Sequence, residues 1–224
     1  MLNYCFPDGV SAFSAGRDEE LPVPVLQAHQ VHSDKVAVID SRSVTREDLY
    51  GYDAMVTDLK DFAIGARTAD CVPVLLFDPG RGAIAAIHSG WKGTVLKISL
   101  KAIGIMSATY GTDPSDLIAV IGPSIGPDSF QVGKEVPEAF REAGFPIEGM
   151  LSDRGLPVEG TMLGGLHFDL WAANRFLLES AGIRPKNISV CGICTYLHRE
   201  WYSARREGTA CGRNINAIMM RSGL

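Results

Sequence analysis

The chain has 224 residues, 46% hydrophobic and 21% charged, with a net charge of −5 from 21 Lys and Arg against 26 Asp and Glu. That length can bury one sizeable core, and the composition excludes a fibre, a collagen repeat or a disordered polymer. The acidic balance gives no basic footprint for nucleic acid or an anionic membrane, so a small-molecule partner is expected, with no obligate protein partner evident.

Met1 to Gly9 lacks the basic start and apolar run of a secretory signal. The longest apolar run, Val72 to Phe77, falls far short of the roughly 20 residues that span a bilayer. A cytoplasmic location is therefore expected. Five cysteines, an odd number scattered along the chain, fit reduced thiols better than a disulfide framework.

In chain order, β-branched and aliphatic stretches bounded by Gly, Pro or Asp predict strands at Lys35–Ile39, Asp53–Thr57, Val72–Phe77, Ala83–Ile87, Leu117–Ile121 and Ile188–Cys191. Asp78-Pro79-Gly80-Arg81-Gly82 supplies turn residues, so the third and fourth of these should form a hairpin. Helices are predicted over Thr94–Tyr110, Glu135–Ala143 and Asp169–Ala181. In the last, Asp169 occupies the N-cap, Leu170, Ala173, Phe176, Leu177 and Ala181 share one face, and Gly182 stops the helix. Phe145–Gly165, with five glycines and two prolines, reads as a long excursion or flap. Strands and helices mixed with a hairpin predict a single α/β or α+β domain over residues 1–224, with a mixed sheet rather than a doubly wound parallel one.

Five histidines, His29, His32, His88, His167 and His198, constrain any metal hypothesis. His32 lies in Gln30-Val31-His32-Ser33, just before a predicted strand. Cys71 opens one strand of the hairpin and His88 closes the other, so antiparallel pairing brings both to one end of the sheet. A thiolate with neutral imidazoles suits zinc, and three protein ligands leave a fourth position for water or substrate. The competing reading is a buried small hydrophobe at Cys71 and ordinary loop histidines, since no HxxxH or paired CxxC supports a metal. Cys191-Gly192-Ile193-Cys194 runs on from a strand instead of opening a helix and has no second pair, which favours structural thiols. His29, three residues from His32, faces the other way if that segment is extended.

Ser89-Gly90-Trp91-Lys92-Gly93-Thr94 leaves a strand and enters a helix. Its glycines allow close backbone approach, its N–H groups favour an anion and Lys92 adds charge; a plain tight turn is the equal alternative. The loop Gly122-Pro123-Ser124-Ile125-Gly126-Pro127 carries the same ambiguity. Arg199, Arg205 and Arg206, interleaved with Glu200 and Glu207, form the one dense basic cluster, readable as a solvated face or as functional.

Taken together, Gln30-Val31-His32, Asp53-Ala54-Met55-Val56-Thr57, Thr68-Ala69-Asp70-Cys71-Val72-Pro73-Val74-Leu75, Ala86-Ile87-His88-Ser89-Gly90-Trp91-Lys92-Gly93-Thr94 and Gly122-Pro123-Ser124-Ile125 resemble the YfiH/YlmD family. The likeness continues through Phe168-Asp169-Leu170-Trp171-Ala172-Ala173-Asn174 and Tyr202-Ser203-Ala204-Arg205-Arg206-Glu207-Gly208 to Gly212-Arg213, nearly the whole chain. That family has been called laccase-like polyphenol oxidase, peptidoglycan editing factor and purine nucleoside phosphorylase, and includes vertebrate FAMIN. The resemblance implies a mixed α/β fold with sheets layered between helices, and one zinc ion held by His32, Cys71 and His88. The chain departs from the common pattern at Ser129-Phe130-Gln131-Val132, where many relatives carry a cysteine and a Tyr-Glu pair, and at Cys211, where a Thr often precedes Gly-Arg. These departures bear on the substrate pocket and leave the metal ligands untouched.

A multicopper oxidase needs several histidine-rich centres, which five histidines cannot supply, so the laccase-like reading is disfavoured. An open Cys/His₂ zinc site activates water for attack on an electrophilic carbon, which suits adenosine deamination at the purine C6. Phosphorolysis at the ribose C1′ needs cations for phosphate. Arg67, Lys92 and Arg205 are the candidates, with Ser89 to Thr94, including Gly93, as a backbone cradle. The resemblance implies both reactions on adenosine, phosphorolysis of inosine, guanosine and methylthioadenosine, and no second cofactor. The expected function is a zinc-dependent purine nucleoside phosphorylase with adenosine deaminase activity, its partners a nucleoside and phosphate. Asp70, beside Cys71, either carries a proton or orients a neighbour. Two alternatives stand. One is a cysteine hydrolase, with Cys71 as nucleophile and His88 as base, editing peptidoglycan precursors with or without zinc; the other is a non-enzymatic zinc-dependent binding protein.

Overall fold

The hairpin predicted across Asp78–Gly82 lies at the centre of the molecule. The computed structural model describes residues 1–156 and 164–223. In chain order its first strands are β1 (Leu2–Asn3), β2 (Val10–Ala15), β3 (Val25–Gln27), β4 (Val36–Val38), β5 (Ala54–Thr57), β6 (Ala63–Thr68), β7 (Val72–Asp78) and β8 (Ala83–Ser89). Helices α1 (Trp91–Val95) and α2 (Ile98–Tyr110), strands β9 (Ile118–Ile121) and β10 (Gln131–Val132), helix α3 (Glu135–Glu142) and strands β11 (Leu151–Asp153) and β12 (Leu166–Phe168) follow. Helix α4 (Leu170–Ser180), strand β13 (Ile188–Val190), helix α5 (Ala204–Glu207) and strand β14 (Asn214–Met220) complete the order.

A mixed six-stranded sheet has the order β13-β9-β7-β8-β5-β4, and a five-stranded sheet the order β1-β2-β14-β6-β3. β10, β12 and β11 form a small third sheet. Strands β7 and β8 are buried along their whole length, so their side chains alternate between two apolar layers instead of between core and water. Val74, Leu76, Ala85 and Ile87 belong to the layer covered by α2 and α4, while Leu75, Phe77, Ile84 and Ala86 belong to the layer shared with Ile64 and Ile218 of the second sheet. The result is helices on one face of the large sheet and the smaller sheet on the other.

The parity of these strands positions the candidate ligands. Counting back from Leu75 by twos puts Cys71 on the face toward the second sheet, and counting on from Ala86 puts His88 on that same face. Pro73 pairs with His88 and Val72 with Ser89, so Cys71 and His88 end adjacent strands at one edge of the sandwich.

Three sequence expectations need correction. The helix read over Thr94–Tyr110 is two helices, broken where Lys97 adopts a left-handed conformation, φ 61°. A single reversed dihedral leaves the apolar periodicity almost unchanged and so goes unseen in the sequence. The excursion read over Phe145–Gly165 starts inside the core, since Phe145, Ile147 and Met150 are buried, and then supplies strand β11; residues 157–163 lie outside the described residues. Finally, the five-stranded sheet went unread as a whole. Its strands β2, β6 and β14 carry Ser14, Arg67, Asn214 and Asn216 among small residues, which masks the β pattern.

Ser14 and Asn216 answer each other inside the sandwich. The Ser14 hydroxyl donates to Asn216 Oδ1 at 2.5 Å, and Asn216 Nδ2 donates to Thr68 Oγ1 at 3.0 Å and to the Ala66 carbonyl at 3.3 Å. With Asn216 fully buried, Asn216→Ala strands its partners and opens a void. It is expected to lower the unfolding free energy by about 2–4 kcal/mol in denaturant titrations, and a loss under about 0.5 kcal/mol would contradict this network's role.

Candidate metal centre

Strand β5 lies against β8 with Ala54 opposite Ile87, so Asp53 and His88 are next in line at the ends of their strands, and Asp53 accepts the His88 amide on its carbonyl at 2.8 Å. Their side chains meet as well: His88 Nδ1 donates to Asp53 Oδ1 at 2.7 Å. Cys71, His88 and Asp53 thus form one row across β7, β8 and β5. The third predicted ligand comes from the loop between β3 and β4. Three successive backbone N–H groups, of Val31, His32 and Ser33, converge on the Asp53 carboxylate at 3.1, 2.9 and 2.7 Å, and Ser33 Oγ adds a fourth donor at 2.8 Å.

This is an anion nest closed around a side chain of the same protein. His32 sits in it at φ 63°, so the segment from His29 to His32 is not the extended stretch that would turn the two histidines to opposite faces. Such a conformation costs a non-glycine residue on the order of 1–3 kcal/mol, which the charge-assisted bonds to Asp53 offset. His32 Nε2 then lies 3.6 Å from Cys71 Sγ, and the His32 and His88 rings have centroids 4.8 Å apart.

One ligand atom from each of His32, Cys71 and His88 falls within 4.8 Å of the others. Tetrahedral zinc with bonds of about 2.3 Å to sulfur and 2.0–2.1 Å to nitrogen sets its ligands about 3.6 Å apart, so the spacing fits such an ion. With Nδ1 committed to Asp53, His88 presents Nε2, the usual arrangement of a carboxylate-supported ligand.

The electrostatics favour a Cys71 thiolate beside a protonated His88, so a metal bound here displaces a proton from His88. Burial opposes the Cys71 thiolate, but His88 and His32 overcome it and bring the thiol down to about 6. Burial likewise opposes charge on His88, which Cys71 and Asp53 raise to about 9. Asp53, itself only 2% exposed, is held at about 2 by His88 and Ser33 despite its desolvation.

His32, Cys71 and His88 line a cavity of about 550 Å³ together with Gln30, Arg46, Arg67, Cys211 and Arg213. Of the predicted phosphate residues, Arg67 is in this wall. Ser89, Lys92 and Gly93 do not line it: the buried Ser89 hydroxyl bonds Thr94 Oγ1 at 2.9 Å, Gly93 is buried against the Ser33 and His88 carbonyls, and exposed Lys92 lies over the Trp91 ring. Arg205 packs its guanidinium over Phe130 and gives its backbone N–H to Asp70.

Asp70, at φ 82°, directs both carboxylate oxygens into the C-terminal segment, toward Thr195 Oγ1 at 2.6 Å, Ser203 Oγ at 3.0 Å and Arg205 N at 2.6 Å. His29 also lines the cavity, its ring stacked on Tyr50. His167 is buried on β12, and His198 is paired at the surface with Glu200. Cys194 is a buried free thiol accepting the Gly126 N–H, and Cys191 is free too. Gly126 and Gly122 are needed for tight packing, against Trp171 and Tyr4 respectively.

Sequence reasoning missed Asp53, Gly90, Arg46 and Arg213. A Cβ on Gly90 would stand 2.9 Å from Cys71 Sγ and 3.0 Å from His32 Cδ2, so only glycine leaves room for the pair. For Asp53 the signal was an acidic residue heading a strand that is apolar at its core, which gains meaning only once β5 is known to lie beside β8.

A mixed α/β sandwich with an open Cys/His₂ group at its edge is the class that fold and site define. Residues 15–221 match the family described as multi-copper polyphenol oxidoreductase laccase. The chain is 40% identical over 206 residues to a purine nucleoside phosphorylase of Bacteroides thetaiotaomicron, covering 90% of this chain and 74% of that one. It is 39% identical over 201 residues to adenosine deaminase RL5 of an unknown prokaryotic organism, covering 87% and 74%. The crystal structure of the hypothetical protein YfiH of Bacillus licheniformis superposes with a TM-score of 0.78 at 29% identity, over 88% of this chain and 74% of that one. A Neisseria meningitidis protein gives 0.79 at 26% identity, over 99% of both. The chain belongs to the YfiH family of laccase-like proteins.

Two substitutions test the centre. Asp53→Asn should weaken metal binding roughly 10–100-fold in chelator competition, because it frees both His88 and the His32 turn. Gly90→Ala should weaken it at least comparably. Metal affinity within twofold of the unsubstituted protein in both variants would refute this geometry.

Proposed function

We propose that this chain is a zinc-dependent purine nucleoside phosphorylase that also deaminates adenosine, with His32, Cys71 and His88 holding one zinc ion. The observation that carries the reading is the convergence of these three donors at zinc-ligand spacing in the wall of an open cavity. The phosphorylase and deaminase names of its relatives supply the reaction class. Among the described residues this is the one cluster of its kind, and all five histidines are among them, which leaves no ligand set for several copper centres.

A zinc ion held by His32, Cys71 and His88 would supply Lewis acidity at the cavity wall. The chain supplies the rest. Asp53 fixes the orientation of His88 and the His32 turn, and the Cys71 thiolate is kept ionised by its two imidazole neighbours. Asp70 acts as a positioning residue, tying the strand entrance beside Cys71 to the C-terminal segment that contributes Cys211 and Arg213 to the cavity. In phosphorolysis the C1′–N bond breaks, a phosphate oxygen bonds C1′, and the purine leaves with a proton. In deamination water oxygen bonds C6 and ammonia departs. The substrates are a purine nucleoside with phosphate or water, and no described helix is long and apolar enough to cross a membrane.

A second reading rests on the row Cys71, His88, Asp53, which also has the order of a thiol nucleophile, its base and an orienting carboxylate. It would make the protein a cysteine amidohydrolase acting on peptidoglycan precursors.

Metal analysis followed by product detection separates the two. One zinc per chain is expected, with adenine formed from adenosine only when phosphate is present and inosine formed without it. Chelation and Cys71→Ser should each lower both rates by about a hundredfold or more. Full turnover of chelated protein, or of Cys71→Ser, would sink the zinc reading; inactivation by alkylation combined with indifference to chelators would support the thiol.

A further inference from the structure

Three arginines, Arg46, Arg67 and Arg213, line the cavity beside the Cys/His₂ group, and no carboxylate side chain lines it among the described residues. Five arginines outside the cavity, Arg17, Arg154, Arg175, Arg184 and Arg206, each pair with an Asp or Glu. Among the described residues none of the three cavity arginines pairs with a carboxylate, and Arg67 and Arg213 bond only neutral groups. Arg67 Nη1 donates to the Gln27 amide oxygen at 3.1 Å. Arg213 spends its guanidinium on the carbonyls of Thr209, Cys211 and Gly212 and on the Cys211 sulfur. Arg46 is exposed at the head of a 3₁₀ turn, and the nearby Glu47 faces an adjoining depression that Arg46 shares. Burial, together with repulsion from Arg46 and Arg213, pulls the Arg67 pKa below its ordinary value. Converging guanidiniums without a counter-charge raise one another's energy, and a bound oxyanion removes that cost through charge-assisted, forked hydrogen bonds.

We propose that Arg46, Arg67 and Arg213 form an oxyanion subsite that takes inorganic phosphate beside the metal ligands. The assignment rests on the phosphorylase reading above for its choice of ligand. It moves phosphate away from the turn at Ser89 to Thr94, whose side chains point elsewhere.

The test is calorimetric titration of the zinc-loaded protein with inorganic phosphate and, separately, with AMP, alongside steady-state kinetics. Arg46→Gln, whose exposed side chain carries no bond on which folding depends, and Arg67→Gln should each weaken phosphate binding roughly 10–100-fold. KM for phosphate should rise in step while KM for the nucleoside stays within about twofold, and Lys92→Gln should leave phosphate binding unchanged. Arginine-dependent phosphate binding in a protein with no phosphorolysis would uphold the subsite and overturn the phosphorylase reading. Phosphorolysis with an unaltered phosphate KM in both arginine variants would overturn the subsite and leave that reading standing. Arginine-dependent binding of AMP but not of phosphate would also overturn it.

Discussion

The Asp53 carboxylate is buried at the end of a strand, and its charge is met by three consecutive backbone N–H groups, a serine hydroxyl and an imidazole, all from parts of the chain that bear on the metal centre. A buried carboxylate is tolerated only when such donors surround it. The requirement works in both directions: the turn carrying His32 closes because Asp53 is there, and Asp53 stays ionised because the turn closes. Since the same oxygen, Oδ1, takes the His32 N–H and His88 Nδ1, one atom sets the relation between two of the three ligands. Cys71 needs no such help, because hairpin register already brings it to the end of the sheet beside His88.

The cavity over these ligands is assembled from distant stretches of chain. Its walls draw on the segment before β4, on the turn containing Arg46, on the end of β6 and on the loop from Thr209 to Arg213. Asp70 ties the last of these regions to the metal end of β7 through Thr195, Ser203 and the Arg205 amide. Left-handed backbone at His32 and Asp70 marks the two places where the chain is bent against its preference to make the site. Between the two, a Cys/His₂ group and a basic wall face one space.

Much of this was legible in the residues. The hairpin could be read from Asp78 to Gly82 because its flanking strands are unbroken apolar runs, and with it came the proximity of Cys71 and His88. The helix over Leu170–Ser180 was announced by its Asp169 cap, which accepts the Ala172 N–H as expected. His32 was tied to the pair only by family resemblance, since its approach depends on a left-handed turn wrapped around Asp53, a contact 21 residues away in sequence. The second sheet was hidden for a related reason: Ser14, Thr68 and Asn216 look like loop residues until their partners across the sandwich are known. Arg46 and Arg213 stand alone in the sequence, and only the folded cavity makes them neighbours of Arg67. Local pattern reveals elements; polar contacts between distant segments, which build this site, leave no local pattern.

The central claim, that His32, Cys71 and His88 bind one zinc ion, is most directly tested by X-ray absorption at the zinc edge of the purified protein. The account predicts one sulfur neighbour at about 2.3 Å and two imidazole nitrogens at about 2.0–2.1 Å, with a light atom completing the shell. A shell without sulfur, or one with several sulfurs, would contradict it.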